Sequence, residues 1–383
     1  MVPDFVEFGL PTRITGGDDA LAGLGDELAA LGITRVFVVT DSFLRETGLV
    51  GEVIRHLGRV EIAGIFDRVR PNSGVDLVEE GAGCLAASGA DGILAVGGGS
   101  HIDTAKALNL VHTLGGRLLD HQGAFNIARP LKLPLVAVPT TAGTGSEVTP
   151  AAVIWNRDER TKLTFFSPHL APRLAVLAPA LTRDLPAFLT AATGFDALSH
   201  AVEAYVSVTH NPFADALALA AVRRIHRYLG RAVAGGDPEA RWGMQTAATM
   251  GGMAFGAALL GGAHAIAHAL GGLCEVGHGV AVALVLPAVC SFNLDACPER
   301  FAAIAHGLGA SGPDPVSAGA AGIEAMQSLR AMCGLPARLS AVNVPAALIP
   351  ALAELAATDA AIVTNPKPMT AADIAAILEA LAL

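Results

Sequence analysis

The sequence predicts a two-domain chain, an α/β domain over residues 1–180 followed by an all-α domain over residues 181–383. Three observations carry that expectation. The chain has 383 residues, against roughly 100–200 for a single domain. Its first half alternates short β-branched runs with helix-period segments, as βαβ units do. After Pro179 strand-like runs nearly disappear, and Ala/Leu-rich helical patterns punctuated by Pro and Gly continue to the end.

In chain order, Val36-Phe37-Val38-Val39-Thr40 reads as a buried strand, followed by a helical segment from Ser42. Val60–Phe66 is the next strand candidate. A helical stretch over Val75–Ser88 leads into Gly92-Ile93-Leu94-Ala95-Val96, and helical patterns over His101–Leu114 and Leu108–Leu119 precede Leu135-Val136-Ala137-Val138. Continuous apolar strands of this kind suit a parallel sheet covered on both faces. Segments near Ala152–Trp155, Leu163–Phe166 and Leu174–Leu177 are read as further strands closing the domain. There is no internal repeat and no low-complexity linker.

Composition excludes several classes of function. Hydrophobic residues make up 52% and charged residues 16%, which is not a disordered chain. With 25 Lys+Arg against 35 Asp+Glu the formal charge is −10, so no global field attracts nucleic acid or acidic lipid. The mean hydropathy is +0.51, and the chain carries no charge between Arg241 and Glu275, a length that could span a bilayer. That stretch is mostly Ala, Gly, Thr and Met, contains His264 and His268, and lacks basic flanks and an aromatic belt. It reads as a buried helix pair. Met1-Val2-Pro3-Asp4-Phe5-Val6-Glu7 has no basic segment and is not a signal peptide. Cys84, Cys274, Cys290, Cys297 and Cys333 lack CxxC spacing and read as reduced thiols of a cytoplasmic protein.

Two loops and one cluster carry chemistry. Gly97-Gly98-Gly99-Ser100 follows a strand and opens a helix, where glycine admits a phosphate and the helix terminus offers free N–H groups. It is not a GxGxxG fingerprint, because Ile102 takes the third glycine position; a plain tight turn weighs about equally. Thr140-Thr141-Ala142-Gly143-Thr144-Gly145-Ser146-Glu147 repeats the design after the next strand, so the two form a cradle for a pyrophosphate. Asp41, at the end of a strand, reads evenly as a ribose acceptor or as a helix N-cap. Asp196 and His200 stand at i, i+4 on one helix face, and His264 and His268 repeat the spacing ahead of His278. One carboxylate and several imidazoles in a charge-poor domain suit Fe(II), Zn(II) or a similar divalent ion. Glu203 weighs evenly between orienting a metal-bound histidine and forming an ordinary salt bridge, and Cys274 reads as a core thiol.

At GGGSHIDTAKA (97–107), PTTAGTGSEVT (139–149), TGFDALSHAVEAY (193–205), GGAHAIAHALGG (261–272) and GHG (277–279) the chain resembles the iron-containing (group III) alcohol dehydrogenase family over nearly its full length. The resemblance implies a dehydroquinate synthase-like architecture, with an α/β dinucleotide-binding domain, a helical metal-binding domain and an active site in the cleft between them. It implies Asp196, His200, His264 and His278 as metal ligands and His268 as a histidine beside the metal, near the nicotinamide, that is the candidate proton relay. Asp41 matches the acid that selects NAD, and Asn72, Gly98, Gly99, Ser100, Asp103, Thr140, Thr141, Thr144 and Lys162 match positions that contact the dinucleotide. Two departures stand out: Gly277 where the family often has proline, and Ala178-Pro179 where an acid–proline pair is common.

The function implied is metal-dependent hydride transfer between NAD(H) and a primary alcohol or aldehyde, a diol or a hydroxy acid, in a cytoplasmic homo-oligomer with no nucleic-acid or membrane partner. Fe(II) is the expected metal, with Zn(II) as an alternative. One runner-up is a 4-hydroxybutyrate/succinate semialdehyde-type reductase, for which Arg157, Arg160 and His169 are candidate carboxylate partners. The other is a metal- and NAD-dependent lyase of related fold, with no net redox.

Overall fold

The computed structural model of the chain describes residues 7–124, 127, 129–235 and 237–382. Residues 1–6, most of the stretch read above as no signal peptide, lie outside them. Contacts divide the chain into two compact units. One comprises Leu10–Thr141 and Gly145–Asp184. The other holds residues 185–382, with residues 7–9 and the tripeptide Ala142–Thr144. The second unit thus begins a few residues beyond the expected division at 180, and it takes three residues out of the threonine-rich loop.

Among the described residues nine strands lie in the first unit: β1 (Arg13–Gly16), β2 (Arg35–Val39), β3 (Glu61–Phe66), β4 (Gly92–Gly97), β5 (Gly123–Ala124), β6 (Leu135–Pro139), β7 (Ala151–Asn156), β8 (Thr161–Phe166) and β9 (Leu174–Leu177). Six form a wholly parallel sheet in the order β1-β9-β6-β4-β2-β3. Successive side chains of a strand point to opposite faces, and both faces are filled. Val36, Val38, Leu94, Val96, Val136 and Val138 join one apolar cluster, whereas Phe37, Val39, Ile93, Ala95 and Ala137 join the other. That two-sided burial is why these strands are continuous apolar runs.

The structure refines the sequence reading at three points. β7 and β8 do not extend the main sheet; with β5 they form a separate three-stranded one, β7 and β8 being antiparallel. The helical pattern past Leu108 stops at Leu114, because Gly115 and Gly116 take positive φ of 75° and 73°, and only a short 3-10 turn follows at Leu118–His121. β1, too short to leave a sequence pattern, pairs with β9 at the sheet edge.

In the main sheet the chain runs from β2 outward to β3, then returns across β2 to β4. The order therefore reverses between β2 and β4, where open α/β sheets leave a crevice at the strand ends. Asp41 follows β2 there, and Gly98-Gly99-Ser100 follow β4 at the start of the helix Gly99–Leu114.

The second unit is helical. Asn211-Pro212, Asp237-Pro238 and Asp314-Pro315 each start a helix with a side-chain cap followed by proline at N1, the position where the missing N–H costs nothing. At the centre runs Ala187–Val206, whose residues from Thr190 onward are all buried except Thr193. The charge-free stretch is the pair Pro238–Ala258 and Gly262–Cys274, bent by 103° at its break. Among the described residues no single helix is long and apolar enough to cross a membrane.

Candidate metal centre and nucleotide loops

In the helical unit, Ala187–Val206 presents Asp196, His200 and Glu203 along one face, Gly262–Cys274 presents His264 and His268, and His278 opens His278–Asn293. The carboxylate of Asp196 is the hub. Its Oδ1 lies 3.7 Å from His200 Nε2, 3.8 Å from His264 Nε2 and 3.4 Å from His278 Nε2. Donor atoms around a four-coordinate ion at ~2.1 Å stand about 3.4 Å apart, so the spacing is that of a coordination shell. Asp196 Oδ1 and His264 Nε2 are also buried with no hydrogen-bond partner among the described residues, which is costly unless a cation sits between them. The three-nitrogen, one-oxygen set fits a divalent Fe or Zn ion.

For His200 and His264 the far side of the ring explains why Nε2 faces inward. His200 Nδ1 donates to the Gly143 carbonyl at 3.3 Å, and Phe255 stacks on the ring at 4.4 Å. His264 Nδ1 donates to Glu203 Oε2, while Glu203 Oε1 accepts the backbone N–H of Ala263 at 2.7 Å. Glu203 therefore orients one imidazole and caps the helix that carries it, which decides the even weighing made from sequence. His268 Nδ1 donates to Asp359 Oδ2 at 2.9 Å. A proton held on Nδ1 leaves the Nε2 lone pair for a ligand or a proton.

Electrostatics follow from burial and this grouping. Burial raises Asp196, but the imidazoles of His200, His278 and His264 outweigh it and keep the carboxylate ionised well below its usual range. Burial pushes His200 down to about 4 against the pull of Asp196, so the ring is neutral near pH 7 and able to ligate. At His264 burial acts downward as well, yet Glu203 overrides it and raises the group. Burial likewise opposes ionisation of Asp359, and the facing His268 reverses the balance.

Gly277 adopts φ −56° with nothing near its Cβ position, a backbone that proline would share, so the substitution does not displace His278. Gly279 is different. A Cβ there would stand 2.4 Å from the Ala192 carbonyl oxygen, so only glycine lets this helix start so close to Ala187–Val206. The variant Gly279→Ala is expected to cost roughly 1–3 kcal/mol by overpacking and to weaken metal retention by shifting His278. Thermal melting and metal analysis of the purified variant check this; an unshifted melting point with full metal content contradicts it. Ala178 is buried, an environment unsuited to the acid common at that position.

In the α/β unit the nucleotide candidates gather at strand ends. Thr140 N–H donates to the Gly97 carbonyl at 3.1 Å, and a Cβ on Gly98 would meet Thr141 Oγ1 at 3.0 Å, so the loops after β4 and β6 lie side by side. Gly98 caps and Gly99-Ser100 start the helix, with N–H groups available to an anion. Lys162 Nζ donates to Asn72 Oδ1 at 3.1 Å, which brings those two candidates together. Asp103 is engaged inside the unit: Oδ1 accepts from Ser146 Oγ at 2.5 Å and Oδ2 from Val153 N–H at 3.0 Å. Thr144 belongs with the helical unit. Asp41 is a helix N-cap, its Oδ1 accepting Leu44 N–H at 2.7 Å, and it is only partly buried. Arg157 stacks over Trp155 at the β7–β8 turn. Three supporting residues escaped the sequence reading. Asp359 has no local signal, Gly143 contributes a carbonyl, and Lys106 is buried within an otherwise ordinary helix.

Comparison with known proteins agrees with this geometry. The profile described as "Iron-containing alcohol dehydrogenase" matches residues 11–179, and "Fe-containing alcohol dehydrogenase family, C-terminal" matches residues 190–382. The chain is 39% identical over 376 residues to the NAD-dependent methanol dehydrogenase of Bacillus methanolicus, covering 97% of this chain and 98% of that one. It is 40% identical over 368 residues to the 1,3-propanediol dehydrogenase of Klebsiella pneumoniae, covering 94% and 95%. Among solved structures, a 1,3-propanediol oxidoreductase superposes with a TM-score of 0.95 at 38% identity, covering 98% of this chain and all of the other.

Proposed function

The chain belongs to the iron-containing alcohol dehydrogenase family, and from that membership we propose a division of labour among its residues in the NAD-linked, metal-dependent oxidation of alcohols and reduction of aldehydes. The observation that carries the reading is the convergence of three imidazole Nε2 atoms on Asp196 Oδ1, with two buried polar atoms that a cation would satisfy.

Asp196, His200, His264 and His278 hold the divalent ion, with Glu203 setting the orientation of His264. When bound, the ion lowers the pKa of an alcohol hydroxyl and polarises a carbonyl, as a Lewis acid does. His268 moves the hydroxyl proton through Nε2, and Asp359 keeps the opposite nitrogen protonated. Gly98, Gly99, Ser100, Thr140, Thr141 and Thr144 take the dinucleotide phosphates, Asn72 and Lys162 assist them, and Asp103 holds Ser146 and Val153 in place beneath. Asp41 accepts from the adenosine ribose and repels a 2′-phosphate. The reading extends to a cytoplasmic homo-oligomer, supported by five cysteines that are thiols and not disulfides and by exposed Phe188 and Leu189, apolar area that a second copy would cover.

The test is removal of metal by a chelator. Metal-free protein is expected to lose formation of reduced nicotinamide from a primary alcohol or diol while still binding NADH by fluorescence, because the glycine loop, Thr140 and Thr141 belong to one unit and the ligands to the other. Fe(II) or Zn(II) should restore turnover. Wild-type rates from protein shown to be metal-free would sink the reading.

A further inference from the structure

His101 has no part in the roles above, yet it touches the one side chain that selects the cofactor in this reading. It stands in the first turn of Gly99–Leu114, and its Nε2 donates to Asp41 Oδ2 at 2.8 Å. With Leu44 N–H on Oδ1, both carboxylate oxygens already carry a donor from the protein. The ring lies over Gly97, whose φ is 152°, and a Cβ there would stand 2.2 Å from the imidazole. The first glycine of the loop thus clears space for this side chain and does not serve a phosphate alone. Donation from Nε2 leaves Nδ1 bare, and it is buried without a partner among the described residues. The His101 side chain is 12% exposed and that of Asp41 22%, so the carboxylate is the more open of the two.

We propose that His101 is a specificity-determining residue for the dinucleotide. By occupying one oxygen of Asp41 it weakens the grip on the adenosine ribose, so the preference for NAD over NADP is smaller than Asp41 alone would impose. The inference rests on Asp41 as the ribose acid. An ionised carboxylate offers about four lone-pair sites, and a ribose with two free hydroxyls is held best when each oxygen has an unshared one. Here Oδ2 is shared with an imidazole and Oδ1 with a helix terminus. The imidazole N–H also draws negative charge away from the face that would repel a 2′-phosphate. His101 works through Asp41 and so positions and tempers it without touching the reacting atoms.

The experiment measures kcat/KM for NAD and for NADP with metal-loaded enzyme at fixed alcohol and salt. His101→Phe fills the space over Gly97 without a donor, and His101→Gln keeps one. His101→Phe is expected to raise the NAD:NADP ratio by about fivefold, the worth of one net hydrogen bond, through KM with kcat unchanged. His101→Gln should stay near wild type, and in an Asp41→Asn background the His101→Phe change should vanish. If the larger ring lowers the melting point, His101→Leu carries the same test. An unchanged or lowered ratio in the donor-free variants overturns the proposal. If Asp41→Asn itself leaves the ratio unmoved, the fault lies in the reading of Asp41; if it moves the ratio and His101→Phe does not, only the role of His101 falls.

Discussion

Replacing His264 by alanine is expected to abolish metal retention and lower turnover by about 10³-fold or more. The ring supplies one of three nitrogens, and its loss also strands Glu203, which is 4% exposed and already faces two backbone N–H groups. Loss of Lewis-acid assistance alone is worth several kcal/mol of transition-state stabilisation. Glu203→Gln tests the shell behind the ligand. The amide can still face Nδ1 but supplies no charge, so a fall of roughly 10–100-fold in metal affinity or activity is expected. Elemental analysis and turnover on the same preparations check both variants, with circular dichroism to show that the helices persist. Full metal content in His264→Ala, or a Glu203→Gln enzyme equal to wild type in both measures, contradicts the arrangement.

Lys106→Met is expected to destabilise the α/β unit by roughly 3–5 kcal/mol, the usual result of removing one partner from a buried charged group. Lys106 is wholly buried, and its Nζ donates to Ser146 Oγ at 3.0 Å, Thr149 O at 3.0 Å, Thr149 Oγ1 at 3.2 Å and Ala151 O at 2.7 Å, with Asp103 Oδ1 at 3.8 Å. Methionine conserves the volume and removes every donor. Asp103, which burial already raises against the pull of Lys106, is then left without its cation. For a unit of this size the loss corresponds to a fall in Tm of about 10 °C. KM for NAD should rise as well, since Ser146 belongs to the threonine-rich loop and Thr149 and Ala151 come just after it. Burial pushes Lys106 down from 10.5 to about 8, against the opposing pulls of Asp103 and Glu147. Between those values the unfolded chain holds a proton that the folded chain has released, so wild-type stability rises with pH across that window while Lys106→Met does not respond. Thermal or denaturant unfolding across this range checks both claims, and a variant as stable as wild type at pH 7 would remove Lys106 from the support of the loop.

Much of the site was legible because its chemistry is local in the chain. Asp196 and His200 share a helix face by their spacing alone, as do His264 and His268, and strand–glycine–helix punctuation at Gly97–Ser100 suits a phosphate as well as a plain tight turn. The proline punctuation of the helical half was visible for the same reason, and in the folded chain Pro212, Pro238 and Pro315 each follow a capping residue at a helix start. β7 and β8 were recognised as strands from their composition, but the sheet they join depends on pairing of β8 with β5 at Gly123↔Phe165, 42 positions apart, to which alternation is blind.

The sequence by itself determined the two classes of domain and which residues are candidates for a divalent ion and a dinucleotide. Tertiary structure alone decided what stands behind those residues. Glu203 on His264, Asp359 on His268, Gly143 on His200, Lys106 beneath the threonine loop and His101 on Asp41 are all contacts across 40 or more positions. Periodicity reports which face of an element is apolar, because burial is a property each residue brings with it. It says nothing of which distant polar atom completes a hydrogen bond, because that partner is chosen by the packing of whole helices and strands, and only the folded chain brings the two atoms within 3 Å or so of each other.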